Sequence, residues 1–244
     1  MPDKRFYIDS KLTLQTTYKI KGKELHHLYH VMKSQIGDTI EIINGKNVLA
    51  QAQIENLSSK EAVISITSID TSPLPKKLIF LAQALTKPFK LDLIVEKTVE
   101  LDVHGIYFFP STFSEIKTLS KNRLERLRTI TISAIKQCGK LDLPPLFMLK
   151  DLYSFSSIEG QFLFGDFRKK APLLSSSINL SPSKPIFIFI GPEKGFCDKE
   201  IDFLENTLHA KGVSLSQNIL RAETASIAAV CQTSNFLQEK EIYP

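Results

Sequence analysis

Two segments near the C-terminus constrain this chain most. The apolar run Pro185–Ile190 leads directly into Gly191-Pro192-Glu193-Lys194-Gly195-Phe196. Further on, Val213–Leu215 leads into Ser216-Gln217-Asn218-Ile219-Leu220-Arg221-Ala222-Glu223-Thr224-Ala225. Each reads as a strand, then a glycine-rich or polar loop, then the start of a helix. That pattern places two exposed loops at the carboxyl ends of strands, where open α/β sheets bind small ligands.

The rest of the C-terminal two thirds supports the same class. Strands are predicted at Leu78–Leu85, Gly105–Phe109 and Phe162–Phe164, with helices at Pro88–Leu101, Lys121–Cys138, Lys199–Ala210 and Glu223–Glu239. This alternation implies parallel β-α units. Ser120 is a candidate N-cap and Gly139 a candidate C-terminal glycine for the Lys121 helix. That helix sets Leu124, Leu127, Thr131, Ala134, Ile135 and Cys138 on one face, and Lys121, Arg123, Arg126 and Arg128 on the other. In the last helix Ile227, Val230, Cys231 and Ser234 share a face. Asp198 is a candidate cap for the helix before it and Gly212 a candidate closing residue.

Residues 1–72 have a different period. Arg5–Ile8, Thr39–Ile43, Val48–Ile54 and Glu61–Ile66 alternate as strands do, Asn44-Gly45-Lys46-Asn47 suits a hairpin turn, and a short helix fits Glu24–Met32. A small β-barrel or sandwich follows. The Pro-containing segment Thr71–Lys77 reads as a linker, which divides the chain into residues 1–72 and 73–244. The fold class is therefore α/β with a small β-barrel domain.

At 244 residues and 43% apolar content the chain can bury a substantial core. No apolar run approaches the roughly 20 residues of a membrane-spanning helix, and the N-terminus has no signal-peptide pattern, so a cytoplasmic location without membrane partners is expected. Cys138, Cys197 and Cys231 are too few and too scattered for a disulfide framework or a zinc site, and are expected as reduced, mostly structural thiols. The net charge of +5 is uneven: Lys/Arg outnumber Asp/Glu 9 to 8 in residues 1–75 and 13 to 7 in 76–150, but fall short 9 to 11 in 151–244. On charge alone, the basic middle third fits either a nucleic-acid partner or a well-solvated lysine-rich surface.

With these segments placed, the chain resembles the SPOUT-class RNA methyltransferases, and among them the RsmE family, which methylates N3 of a uridine in 16S ribosomal RNA. Gly191–Phe196 resembles that family's Gly-Pro-Glu-Gly-Gly-Phe loop, and Ile219–Ala225 its Ile-Leu-Arg-x-Glu-Thr-Ala segment. Lys87–Asp92 with Glu96–Val103, Ala134–Cys138, and His26–Lys33 with Gly37-Asp38 resemble three upstream motifs. The chain departs from the pattern locally. Lys194 and Ser216 stand where glycine is usual, and Lys33 and Lys140 where arginine is usual. The two lysines keep the charge but lose the planar fork.

The resemblance implies an N-terminal PUA-like β-barrel that docks RNA and a C-terminal domain with a deep trefoil knot. It also implies a homodimer, S-adenosylmethionine as methyl donor, and 16S RNA or the small ribosomal subunit as substrate. Cofactor contacts are expected from Leu163, Phe164, Gly165, Gly191, Gly195, Leu215, Ile219 and Leu220. Uracil N3 carries a proton at neutral pH, so a base or an anion-stabilising cation is required. Arg221 is the candidate cation and Glu223 or Glu193 the candidate base, although both acids would also suit the positive end of a helix dipole. Phosphate contacts are expected from Arg5, Lys33, Lys87, Arg123, Lys136 and Lys140. His26 and His30 share a helical face, but no third ligand is suitably spaced, so packing or RNA contact is favoured over metal. Lys194 motivates an alternative: a non-catalytic RNA-binding or ribosome-assembly factor that keeps the fold. A nucleotide-phosphate loop ranks lower, because both the Gly-Lys-Ser/Thr ending and Gly-x-Gly-x-x-Gly spacing are missing.

Overall fold

A computed structural model describes residues 4–73, 77–168, 171–180 and 184–240. Part of the predicted linker, residues 74–76, lies outside the described residues. The chain packs as two units, one of residues 1–74 and 132–143, the other of 75–131 and 144–244.

The first unit holds β1 (Arg5–Tyr7), β2 (Thr17–Ile20), α1 (Gly22–His26), β3 (Thr39–Ile43), β4 (Val48–Leu57) and β5 (Ala62–Thr71). Its sheet runs β1-β3-β4-β5-β2, with β1 and β3 parallel and the other pairs antiparallel. Register shifts at Gln51/Ala52 and Ile54/Asn56 mark bulges, which sharpen the local twist of this open sheet. The apolar residues of each alternating strand meet in one core that includes Phe6, Ile40, Ile42, Ile54, Ile64 and Ile66. Gly45 and Asn47 both take positive φ, 71° and 57°, which closes the predicted β3–β4 hairpin. The predicted Glu24–Met32 helix is instead the single turn of α1 followed by a wider turn over His27–Val31. β2 was not visible in the sequence pattern.

The second unit holds β6 (Ile79–Ala84), α2 (Pro88–Glu100), β7 (Gly105–Phe109), β8 (Leu146–Met148), β9 (Gln161–Gly165), α4 (Leu174–Ser177), β10 (Ile186–Ile190), α5 (Asp198–Asp202), β11 (Lys211–Val213) and α6 (Ala222–Glu239). Helix α3 (Lys121–Cys138) contributes residues to both units. The sheet is parallel throughout, in the order β11-β9-β10-β6-β7-β8. All five residues of β10 are buried, as expected for a strand covered on both faces. The chain runs outward from β6 through β7 to β8, then returns to lay β9 and β11 on the far side of β10. The carboxyl ends of β9, β10 and β11 thus come together where the winding direction changes.

Several local expectations need correction. The Ser120 hydroxyl accepts from Arg123 N at 3.2 Å, and Gly139 has φ 93°, so α3 is capped as predicted. Helix α5, however, is capped at Cys197, not Asp198. Glu200 reaches back to accept from Cys197 N at 3.0 Å, and the helix gives way to a wider turn over Phe203–Thr207. The left-handed residue that ends this segment is His209, φ 54°, while Gly212 lies within β11. Cys138 and Cys231 are exposed, so neither packs into a core. The buried face of α6 is built from small residues, among them Ala222, Ser226, Ala229 and Thr233.

Glu200 is only 3% exposed, yet fully engaged. One oxygen accepts from Thr112 N at 2.8 Å, and the other from the Ser111 hydroxyl at 3.1 Å and Cys197 N. This ties the loop after β7 to the start of α5. Glu200→Ala should strand these donors and lower stability by about 3 kcal/mol, read as a drop in the denaturant midpoint at unchanged slope.

Candidate active site

A cavity of about 280 Å³ lies at the carboxyl ends of β9, β10 and β11. Three loops form it: Gly165–Arg168 after β9, Gly191–Phe196 after β10, and Leu215–Leu220 after β11. Ala222 and Ala225 of α6 complete the wall. Seven of the eight expected cofactor residues line it. The exception, Leu163, is buried within β9.

Glycine is required at specific points of this cradle. A Cβ on Gly191 would lie 3.1 Å from Gly195 C and 3.3 Å from Phe196 N, so the backbone of the same loop would have to give by a few tenths of an ångström to admit it. Gly195 has φ 76° and closes a turn through its N–H to Pro192 O at 2.9 Å. A Cβ on Gly165 would press on Ile190 and Leu215 at 3.2 and 3.3 Å. Lys194 and Ser216 are absent from the positive-φ residues, so neither departure strains the backbone. The Ser216 hydroxyl instead accepts from Asn218 N at 3.1 Å and shapes its own loop.

The charged residues sort into distinct groups. Arg221 is exposed and caps α6 through its carbonyl, which accepts from Ala225 N at 2.8 Å, while its guanidinium makes no hydrogen bond or ion pair with any described residue. Glu223 stands in the first turn of α6, with its side chain 13% accessible. Lys90 Nζ lies 3.2 Å from its Oε2, but out of line for a hydrogen bond. The same ammonium lies 3.0 Å from Glu193 Oε1. Arg221 and Glu223 flank the cavity without lining it, whereas Glu193 lines it.

Sequence reasoning missed several residues here. Asp166 lines the cavity and accepts two hydrogen bonds from Arg168 Nε, at 3.0 and 2.9 Å; Asp166 and Glu205 together raise the Arg168 pKa. Thr86, wholly buried just past β6 and outside the cavity lining, has a hydroxyl without a partner among the described residues. Only the short polar run after β9 could have flagged Asp166; nothing in the sequence flags Thr86.

Comparison with known proteins agrees with this geometry. A family model described as an RNA methyltransferase domain matches residues 72–234, and one described as an RNA methyltransferase PUA domain matches residues 20–67. The chain belongs to the RNA methyltransferase family. It is 28% identical over 234 residues to the ribosomal RNA small subunit methyltransferase E of Rickettsia conorii, covering 93% of each chain. It is 27% identical to the enzyme of that name from Bacillus subtilis, covering 89% and 90%. Among solved structures, it superposes on ribosomal RNA small subunit methyltransferase E from Neisseria gonorrhoeae bound to S-adenosyl methionine. That match has a TM-score of 0.86 at 26% identity, covering 95% of this chain and 97% of the other.

For an RNA methyltransferase, the placement of the basic residues matters as much as the cavity. The first unit engages three of the six expected phosphate ligands internally. Arg5, 8% exposed, pairs with Glu41 at 2.8 Å; Lys136 grips both oxygens of Glu24 at 2.8 and 2.9 Å; Lys140 pairs with Asp142 at 3.0 Å. Arg123 is likewise committed, to the Pro88 carbonyl and to Asp92 at 2.7 Å, and Arg126 also pairs with Asp92. The expected solvated basic face of α3 is therefore partly neutralised by α2. Lys33 is exposed, with φ 49°, and Lys87 is 49% accessible, 3.7 Å from Glu115. The His26 and His30 rings lie 4.9 Å apart, tilted by 39°, and no metal-binding cluster of three or more His, Cys, Asp or Glu occurs among the described residues.

Burial alone would push the Glu193 carboxyl up, but its own backbone N–H and the Lys90 ammonium outweigh it and hold the group below 4.5. Folding therefore favours the ionised form. The resulting stability is complete above pH 4.5 and is lost as pH falls through the lower folded value. A carboxyl-carbon NMR titration should place the Glu193 midpoint below 4.5. In Glu193→Gln, the loss of stability between about pH 5 and pH 3 should be shallower.

Proposed function

We propose that this chain transfers the methyl group of S-adenosylmethionine to N3 of a uridine in the 16S RNA of the small ribosomal subunit. The observation that carries the reading is the glycine cradle at the carboxyl ends of β9, β10 and β11, where backbone closes so tightly around a cavity that a Cβ at Gly191 would press on the loop's own backbone. Such a pocket suits the cofactor: backbone amides and carbonyls of Gly191–Gly195 and Leu215–Leu220 can pair with a purine and ribose, and the apolar walls of Phe164, Ile190 and Leu220 can cover the ring. When bound, the cofactor supplies an electrophilic methyl group on a sulfonium.

The remaining chemistry falls to this chain's own residues. Arg221, unengaged and exposed beside the cavity, supports a role as the cation that stabilises negative charge on the uracil oxygens as the N3 proton leaves. Glu223 Oε2, buried with no aligned donor among the described residues, supports a role as acceptor of that proton. Both acids face the Lys90 ammonium, and Glu193 is the less suited to that role because its own backbone N–H also holds its carboxylate. Lys33 and Lys87 remain the phosphate contacts of choice. Arg5, Arg123, Lys136 and Lys140 act instead by holding their own units in shape.

The finer family features belong to the same reading. Ile219, Phe167 and Leu173 are 84, 70 and 67% exposed, and the first two line the cavity mouth, which supports burial in a homodimer. Leu173 pairs with Ser214, and α6 packs on α4, β6 and β10. That order of contacts suits a C-terminal helix threaded into a trefoil knot. A cytoplasmic site of action follows from a ribosomal substrate.

The test is mass-spectrometric mapping of 16S RNA nucleosides from cells with and without the gene, with the purified protein assayed on the unmodified subunit. One methyluridine should disappear and be restored in vitro. Arg221→Ala should bind S-adenosylmethionine normally and lose about 10²- to 10³-fold in methylation rate. In Gly191→Ala, affinity for the cofactor should instead collapse in calorimetry, with circular dichroism unchanged.

A further inference from the structure

Helix α2 begins against an elementary rule. Its N-cap is Lys87, its first turn holds no acidic residue, and that turn carries Lys90. Cations at the positive end of a helix dipole are unfavourable. Where a local rule is broken, the compensation lies in tertiary structure, and such places cluster at functional sites. For Lys90 the compensation is a pair of carboxylates: its ammonium, 13% accessible, lies 3.0 Å from Glu193 and 3.2 Å from Glu223. Burial would lower its pKa, but the two acids reverse that and raise it.

The two carboxylates come from different elements. Glu193 belongs to the loop after β10 that lines the cavity, and Glu223 to the first turn of α6. Without a cation between them they would repel across a half-buried gap. The platform carrying Lys90 is itself fixed. Pro88 presets the first turn of α2, Arg123 donates to the Pro88 carbonyl, and Asp92 accepts Arg123 and Arg126.

We propose that Lys90 is a positioning residue that clamps the cavity loop to the head of α6. The inference rests on the methyltransferase reading for what the cavity binds, but not for the clamp itself. Glu193 then serves as the loop's anchor. Arg221, two residues ahead of Glu223, is set in register with the loop. A chain lacking the ammonium keeps every cavity residue yet loses their alignment.

Lys90→Met keeps most of the stem and deletes the charge. The affinity for S-adenosylmethionine, measured by calorimetry on the full-length protein, should fall about tenfold or more. The NMR midpoint of the Glu193 carboxyl should rise. Lys90→Arg, whose fork can reach two carboxylates, should restore both readouts. Glu193→Gln severs the loop's side of the clamp without stranding two unshielded acids, and should weaken cofactor binding in the same direction; it keeps the test open if Lys90→Met does not fold. Unchanged affinity in Lys90→Met, or Lys90→Arg as impaired as Lys90→Met, would overturn the clamp. A wild-type protein that does not bind the cofactor would instead overturn the methyltransferase reading, and the Glu193 titration would then decide the clamp by itself.

Discussion

The structure depends on the parallel pairing of β10 between β9 and β6. Five consecutive apolar residues, Ile186 to Ile190, are buried on both faces, and their register with Ile79–Gln83 and Gln161–Phe164 fixes where each strand ends. Once β10 is locked with Phe189 level with Phe164, Gly191 emerges one residue past the level of Gly165, and the β9–β11 pairing brings Val213 level with Gly165. Three loops therefore meet at one point because three strands stop at one height. Hydrophobic burial in the sheet does the positioning, and the loops need only the backbone freedom to turn there.

The polar chemistry around this point is arranged by elements outside the cavity. Glu200 ties the β7 loop to α5, Arg123 and Asp92 hold α2 in place, and Lys90 faces both acids. These side chains are half-buried or buried, where an ion pair exchanges solvation for geometry. Their value is therefore directional. They decide where a loop or a helix end lies, in a region whose own backbone is built to bend.

Much of this was legible in the sequence, because its signals are local. Gly105–Phe109 and Lys121–Cys138 are bounded as the period predicts, and Ser120 and Gly139 cap as their chemistry requires. Other features depend on contacts distant in sequence and were not legible. The four-residue β2 is too short to show a period and exists only because β5 pairs with it. β8, three residues long, depends on β7 in the same way. Arg5, Lys136 and Lys140 looked like free cations because their partners, Glu41, Glu24 and Asp142, could not be assigned to them without the fold. The same holds for Lys90, which in sequence is one more lysine in a basic stretch.

Lys194 shows how a sequence departure should be weighed. A glycine replaced within a glycine-rich loop suggests damage, and this one motivated the reading of a binding factor without catalysis. The loop's need for glycine is not shared equally among its residues. It falls on Gly191, where backbone atoms 3.1 to 3.3 Å away would crowd a Cβ, and on Gly195, where φ is 76°. Lys194 is exposed and carries no positive φ. The position accepts an L-residue without backbone strain, so its lysine, which lines the cavity, does not distort the turn of the loop. With that feature removed, the non-catalytic alternative has no observation of its own, while the cradle and the unengaged Arg221 guanidinium favour a working site.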